Sequence, residues 1–140
     1  MVYKIKKQHN IIEDIELLAE DNSVSMTIHV DINPDAIAKD YRHIQLELIH
    51  AQKAINNKSN DAFEQFEKAV ISMFNLIFGE KNTDKLLEYF DGEYTEMSVQ
   101  LAPFITNVVQ PAIKQSVKNK KSIIANNYNL SRAQKRKLGL

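Results

Sequence analysis

Apolar and polar residues alternate with a period of two from Val24 to Ile32. Val24, Met26, Ile28, Val30 and Ile32 fall on one side, and Ser25, Thr27, His29 and Asp31 on the other. That period belongs to a strand with one face buried. The preceding run, Ile11 to Ala19, places Ile11, Ile15, Leu17 and Ala19 together, and the turn formers Glu20-Asp21-Asn22-Ser23 separate the two runs. The pattern predicts a β-hairpin over about residues 11–32. Two strands alone are marginal in water, so the apolar face must rest on helices or on another subunit.

The pattern then becomes helical. Asn33 can cap, Pro34 suits a first helical position, and Asp35 meets the positive end of the helix dipole. Ile37, Tyr41, Ile44, Leu48, Ala51 and Ile55 follow at spacings of four and three, predicting a helix to about Asn56. After the polar connector Asn56–Asn60, a second helix fits Asp61 to Phe78, with Phe63, Phe66, Val70, Phe74 and Ile77 inward. Gly79 stands where a glycine ends a helix. Asn82 or Thr83 can cap a short helix from Asp84 to Phe90, stopped by Asp91-Gly92. A long stripe runs from Glu93 to about Lys118 through Met97, Leu101, Phe104, Val108, Ile113 and Val117. Pro103 and Pro111 interrupt it, and an interior proline costs about 3 kcal/mol. The reading favours a break near Pro111, with a basic helix from there to about Asn126.

These elements predict an α+β, mainly α fold: an N-terminal β-hairpin packed on a bundle of about four to five helices. Residues 1–127 read as one globular domain, with the hairpin at about 11–32 and helices at about 34–127. Residues 128–140 read as a flexible basic tail, in which Ser131 could cap one further turn. A chain of 140 residues is long enough to bury a core without staples. Met26, Met73 and Met97 read first as core filling, and second as adaptable contact surface. The basic start, Met1 to Gln8, lacks an apolar stretch behind it, so no signal peptide is expected. No apolar run approaches the ~20 residues that span a bilayer.

Composition changes this picture through charge. The chain holds eighteen basic and eighteen acidic residues, for a formal net charge of zero. Yet Lys114 to Leu140 contains eight basic residues and no acidic one: Lys114, Lys118, Lys120, Lys121, Arg132, Lys135, Arg136 and Lys137. Residues 1–113 therefore carry an excess of eight negative charges. Like charges along a short segment repel unless something acidic lies beside them, so these eight are the candidate partner-binding residues. Deleting residues 114–140 is expected to leave a folded domain and weaken partner capture. Nucleic acid is the weaker choice of partner, because Tyr128 is the lone aromatic after Phe104 to stack on bases. A membrane surface is weaker still, since Ile113, Val117, Ile123 and Ile124 form a short face without aromatic anchors.

Catalytic chemistry finds little footing. His43, Glu47 and His50 share one helix face at metal-ligand spacing, but they flank the apolar stripe where solvated residues belong. His9 and His29 stand apart on the β element. There is no cysteine, which suits a reducing cytosol and rules out thiolate chemistry. Gly79, Gly92 and Gly139 all lie near predicted ends, so no phosphate-cradling loop is formed. The reading is non-enzymatic, with no catalytic residue, metal or cofactor.

Three stretches carry a family resemblance. One is Thr27-Ile28-His29-Val30-Asp31-Ile32-Asn33 leading into a helix that holds Ile49-His50-Ala51-Gln52-Lys53. Another is Leu76-Ile77-Phe78-Gly79 with Lys85-Leu86-Leu87-Glu88-Tyr89-Phe90. The last is Leu101-Ala102-Pro103-Phe104-Ile105, with Pro111 downstream and Lys135-Arg136-Lys137 near the end. Together they resemble the small tail assembly chaperones of phages and prophages of Gram-positive bacteria. The resemblance implies a holdase that binds the tape-measure protein and keeps it soluble until tail-tube protein polymerises around it. It implies a place in the bacterial host cytoplasm and not in the mature virion. In that family a frameshift often yields a longer second product, and the resemblance would make this chain the short form. The rival readings are a small nucleic-acid-associated regulator and a structural virion component, and self-association into a homo-oligomer stays open.

Overall fold

The computed structural model describes residues 1–5, 10–58, 60–127, 132–137 and 139. Strands β1 (Ile11–Leu18) and β2 (Val24–Ile32) form an antiparallel hairpin. Helices α1 (Pro34–Asn56), α2 (Ala62–Phe78) and α3 (Glu80–Tyr89) follow. A long helical run then passes from α4 (Tyr94–Phe104) through a π-helical turn (Ile105–Val109) into α5 (Gln110–Asn127), and α6 (Arg132–Lys137) is a short last helix. The fold is α+β and mainly α, as the periodicity predicts.

The hairpin pairs Ile11 with Ile32, Ile15 with Ile28 and Leu17 with Met26, so its apolar residues share one face. Leu17, Ile28, Val30 and Ile32 are buried there, in one core with Tyr41, Val70, Phe74, Phe78, Leu86 and Leu101. Leu18 then pairs with Val24, leaving Ser25 as the extra residue of a bulge next to the turn. That irregularity lies at the tip, where Val24 is 52% exposed despite belonging to the inward set by period. In the turn, Asn22 takes a left-handed φ of 66°, which asparagine tolerates. The Asp21 carboxylate accepts from Ser23 Oγ at 2.6 Å and Ser23 N at 3.0 Å, and those bonds lower its pKa.

The start of α1 follows its sequence. The Asn33 side chain accepts from the backbone N–H groups of Asp35 and Ala36, and Pro34 opens the first turn. In α2, Val70, Met73, Phe74, Ile77 and Phe78 are buried. Phe63, expected inward, is 67% exposed. At the start of α2 the buried position is taken by its neighbour Ala62, 1% exposed, and Phe63 faces outward.

Gly79 takes φ 84° and ψ 156°, a conformation essentially open to glycine alone. It therefore ends α2 and starts α3 in one residue, so α3 begins at Glu80 and not at Asp84 as expected. Asn82 and Thr83, read as caps, act instead as tethers inside the helix. The Asn82 amide donates to His29 O (2.9 Å) on β2 and to Phe78 O (3.0 Å). Thr83 Oγ1 donates to Gly79 O (2.9 Å). At the other end of α3, the Tyr89 hydroxyl donates to Leu18 O, so both ends of α3 hold the hairpin.

A basic helix does open at Pro111, since α5 starts at Gln110 and runs to Asn127, but the chain stays helical there and a π-helical turn stands where a break was expected. Pro111 has no N–H for the Asn107 carbonyl, and its ring would crowd that carbonyl in a regular α-helix. The chain answers with the wide turn just before it, in which Gln110 N donates to Ile105 O. The wide turn admits one extra residue and shifts the inward position. Val109 is fully buried, while Val108, the expected core residue, is half-buried. The expected cap at Ser131 lies outside the described residues, as do residues 128–130 of the basic tail.

Two measurements check this packing. Phe74→Ala should cost about 3–5 kcal/mol in denaturant unfolding, while Phe63→Ala should stay within about 0.5 kcal/mol. Burial raises the Tyr41 phenol above its ordinary 10.0. The unfolded chain then loses this proton first, so Tyr41's contribution to stability is intact below pH ~10 and falls as pH rises through the folded value. In an ultraviolet titration one phenol should ionise after the others, and Tyr41→Phe should remove that late component.

Candidate functional site: two grooves of opposite charge

Helix α5 crosses back toward the start of α1. Gln110 shares a small cavity with Tyr41 and Gln45, whereas Val117 and Lys120 sit with Asp35, Ala38 and Arg42. The Lys120 ammonium lies 3.8 Å from Asp35 Oδ1. With both groups partly exposed, such a pair contributes about 0–1 kcal/mol. Asp35 Oδ1 is itself buried, and the lysine is its nearest counter-charge among the described residues.

A groove of about 510 Å³ opens between these two helices. Leu46 and Val117 give it an apolar centre, 52% and 37% exposed respectively. Lys39, Arg42 and Lys120 frame it with positive charge, and Asp35 and His43 also line it. Along α1 the set Lys39, Arg42, Leu46, Ile49 and Lys53 repeats at three and four residues, a second stripe beside the buried one. The sequence reading passed over this stripe because the stronger core stripe accounts for the helix. Its signal was present in Leu46 and Ile49, which break an otherwise polar face.

Of the eight basic residues expected to bind a partner, Lys120 is the one among the described residues that lines this groove. Lys114, Lys118 and Lys121 are exposed on α5, and Arg136 and Lys137 are exposed on α6. The side chains of Arg132 and Lys135 lie outside the described residues. Ser116 is buried and Lys120 pairs with Asp35, so cutting at residue 114 removes packing against the body as well as charge. A cut after Asn127 is the cleaner separation.

The second groove, about 880 Å³, lies at the hairpin tip. Ile15, Leu18, Met26 and Tyr89 supply apolar surface, and Glu16, Glu20, Glu88, Asp91 and Glu96 ring it. Among the described residues no basic side chain lines it. None of the five carboxylates makes an ion pair among the described residues, and all five are exposed. The sequence could not show this convergence, since it joins β1, the end of α3 and the start of α4.

The histidines take ordinary roles. His43 Nε2 lies 3.2 Å from Glu47 as an exposed pair one turn apart. His29, expected to stand alone, meets Asp14 across the hairpin at 2.6 Å. His9 lies outside the described residues. Among the described residues no three His, Asp or Glu side chains gather where they could hold a metal ion. No helix of the described chain is long and apolar enough to cross a membrane. Both grooves are therefore read from their own surfaces: no family model, curated protein or solved structure matches the chain.

Proposed function

We propose that this chain is a phage tail assembly chaperone, a holdase for the tape-measure protein. The groove between α1 and α5 carries the reading, with an exposed apolar centre, Leu46 and Val117, inside a frame of Lys39, Arg42 and Lys120. Such a surface suits an acidic amphipathic helix, which lays its apolar side on the leucine and valine and its carboxylates on the frame. A long helical tape-measure protein offers that kind of segment many times over. The resemblance of the three sequence stretches supplies the phage context.

On this reading the chain changes no covalent bond. It covers apolar helix surface in the host cytoplasm and is displaced when tail-tube subunits polymerise, so it is absent from the finished particle. Met73 and Met97 are buried in the core and take no part in the contact, while Met26, half-buried, belongs to the other groove.

Co-expression with the tape-measure protein tests the proposal. The wild-type chain should keep that protein in the soluble fraction. Leu46→Asp with Val117→Asp should reduce the soluble yield several-fold, at unchanged circular dichroism, because both side chains are partly exposed. A double variant that solubilises as well as the wild type would remove the groove from the account. Retention of the chain in purified particles would favour the structural-protein reading. Steeply salt-dependent DNA or RNA binding would favour the regulator.

A further inference from the structure

The holdase reading leaves the acidic groove at the hairpin tip unused. We infer that this groove receives the basic C-terminal helical segment of a second copy of the chain, joining copies head to tail. This goes beyond the proposed function and rests on different residues.

The groove and the segment match in charge. The groove has apolar surface from Leu18, Met26 and Tyr89 among five carboxylates. One exposed face of α5 offers Lys114, Lys118 and Lys121 at successive turns, and α6 adds the exposed Arg136 and Lys137. A row of cations on one helix face is the complement of a groove lined by carboxylates. Each surface alone carries unbalanced like charge, and each finds its counter-charge in the other.

The chain's own segment cannot make this contact. Gln100 lines the acidic groove, and Asn127 ends α5 on the same helical run. The 27 residues between them correspond to about 40 Å of helix. From Asn127 to Arg132 the chain spans at most about 18 Å when fully extended, and the six residues of α6 add about 9 Å. The basic helix therefore falls short of its own groove by more than ~10 Å. The Lys120–Asp35 pair further fixes α5 at the start of α1, which follows the end of the hairpin remote from the tip.

An acidic socket at one end of a molecule and a basic plug at the other form a heterologous interface. Copies then add in rows, or in a ring if the rotation closes. The ionic part of the contact weakens with salt, because its groups are exposed.

Sedimentation of the purified chain, without a tape-measure protein, tests this separately from the holdase reading. The wild type should show an average mass that climbs with concentration at low salt and returns to one chain in about 1 M salt, where the screening length is ~3 Å. A socket variant carries Glu16→Lys, Glu20→Lys and Glu96→Lys. A plug variant carries Lys118→Glu, Lys121→Glu, Arg136→Glu and Lys137→Glu. All seven positions are exposed, so both variants should keep the wild-type circular dichroism. Each alone should sediment as one chain. The variants place reversed charges on complementary halves, so the intact plug of the socket variant should enter the intact socket of the plug variant. Mixed in equal amounts they should recover an average mass that climbs with concentration, because each plug then meets a socket of opposite charge on the other variant. A wild type that stays at one-chain mass, a variant that still associates alone, or a mixture that stays monomeric would each overturn the inference.

Discussion

A two-stranded sheet cannot hold itself together in water, and the whole arrangement depends on how one face of the hairpin is covered. Ile28 and Val30 are fully buried, and Ile32 is 2% exposed. Each such side chain contributes about 1.5–3 kcal/mol on burial. The Asn82 and Tyr89 bonds to hairpin carbonyls contribute ~1 kcal/mol each. Apolar burial therefore decides that the hairpin docks, and the polar tethers at the two ends of α3 decide where. Because those tethers hold the strands along α3, the hairpin tip is brought beside the start of α4, and the acidic groove is a product of that docking.

The long helical run from Tyr94 to Asn127 sets the second constraint. It is nearly continuous because the π turn absorbs Pro111, and its length keeps opposite charges apart. Glu96 sits near one end, while Lys118 and Lys121 sit near the other. A neutral chain thus presents two charged ends, which steer partners by orientation more than by net attraction. On the proposed reading, the apolar centres inside both charged grooves would supply contact once a partner had been steered.

Much of the fold was legible in order along the chain. The period-two run gave the hairpin, Asn33-Pro34-Asp35 gave the start of α1, and Gly79 gave the end of α2, because each of these is a local effect. Errors arose where tertiary contact overrode local preference. Asn82 and Thr83 look like caps, yet a single Gly-only conformation at Gly79 made caps unnecessary and freed them to bond β2 and the preceding turn. Pro111 looks like a break, yet packing of Val109 and Ile113 into the core keeps the helix running at the cost of one wide turn. Phe63 has the right period, but Ala62 takes the buried position at the start of α2 and Phe63 faces outward. The basic segment was plain in the sequence because it is contiguous. The acidic groove was hidden because Glu16, Glu88 and Glu96 meet only in three dimensions.

The claim that matters most is that polypeptide is held between α1 and α5. The natural chain has no cysteine, so single thiols can report on it directly. Labelling rates of Leu46→Cys, Val117→Cys and Val99→Cys should be measured with the chain alone and bound to the tape-measure protein. Val99 is 66% exposed on α4 and lies outside both grooves. The account predicts that binding sharply slows labelling at positions 46 and 117 and leaves position 99 unchanged. Equal rates at all three positions, with and without the partner, would contradict it.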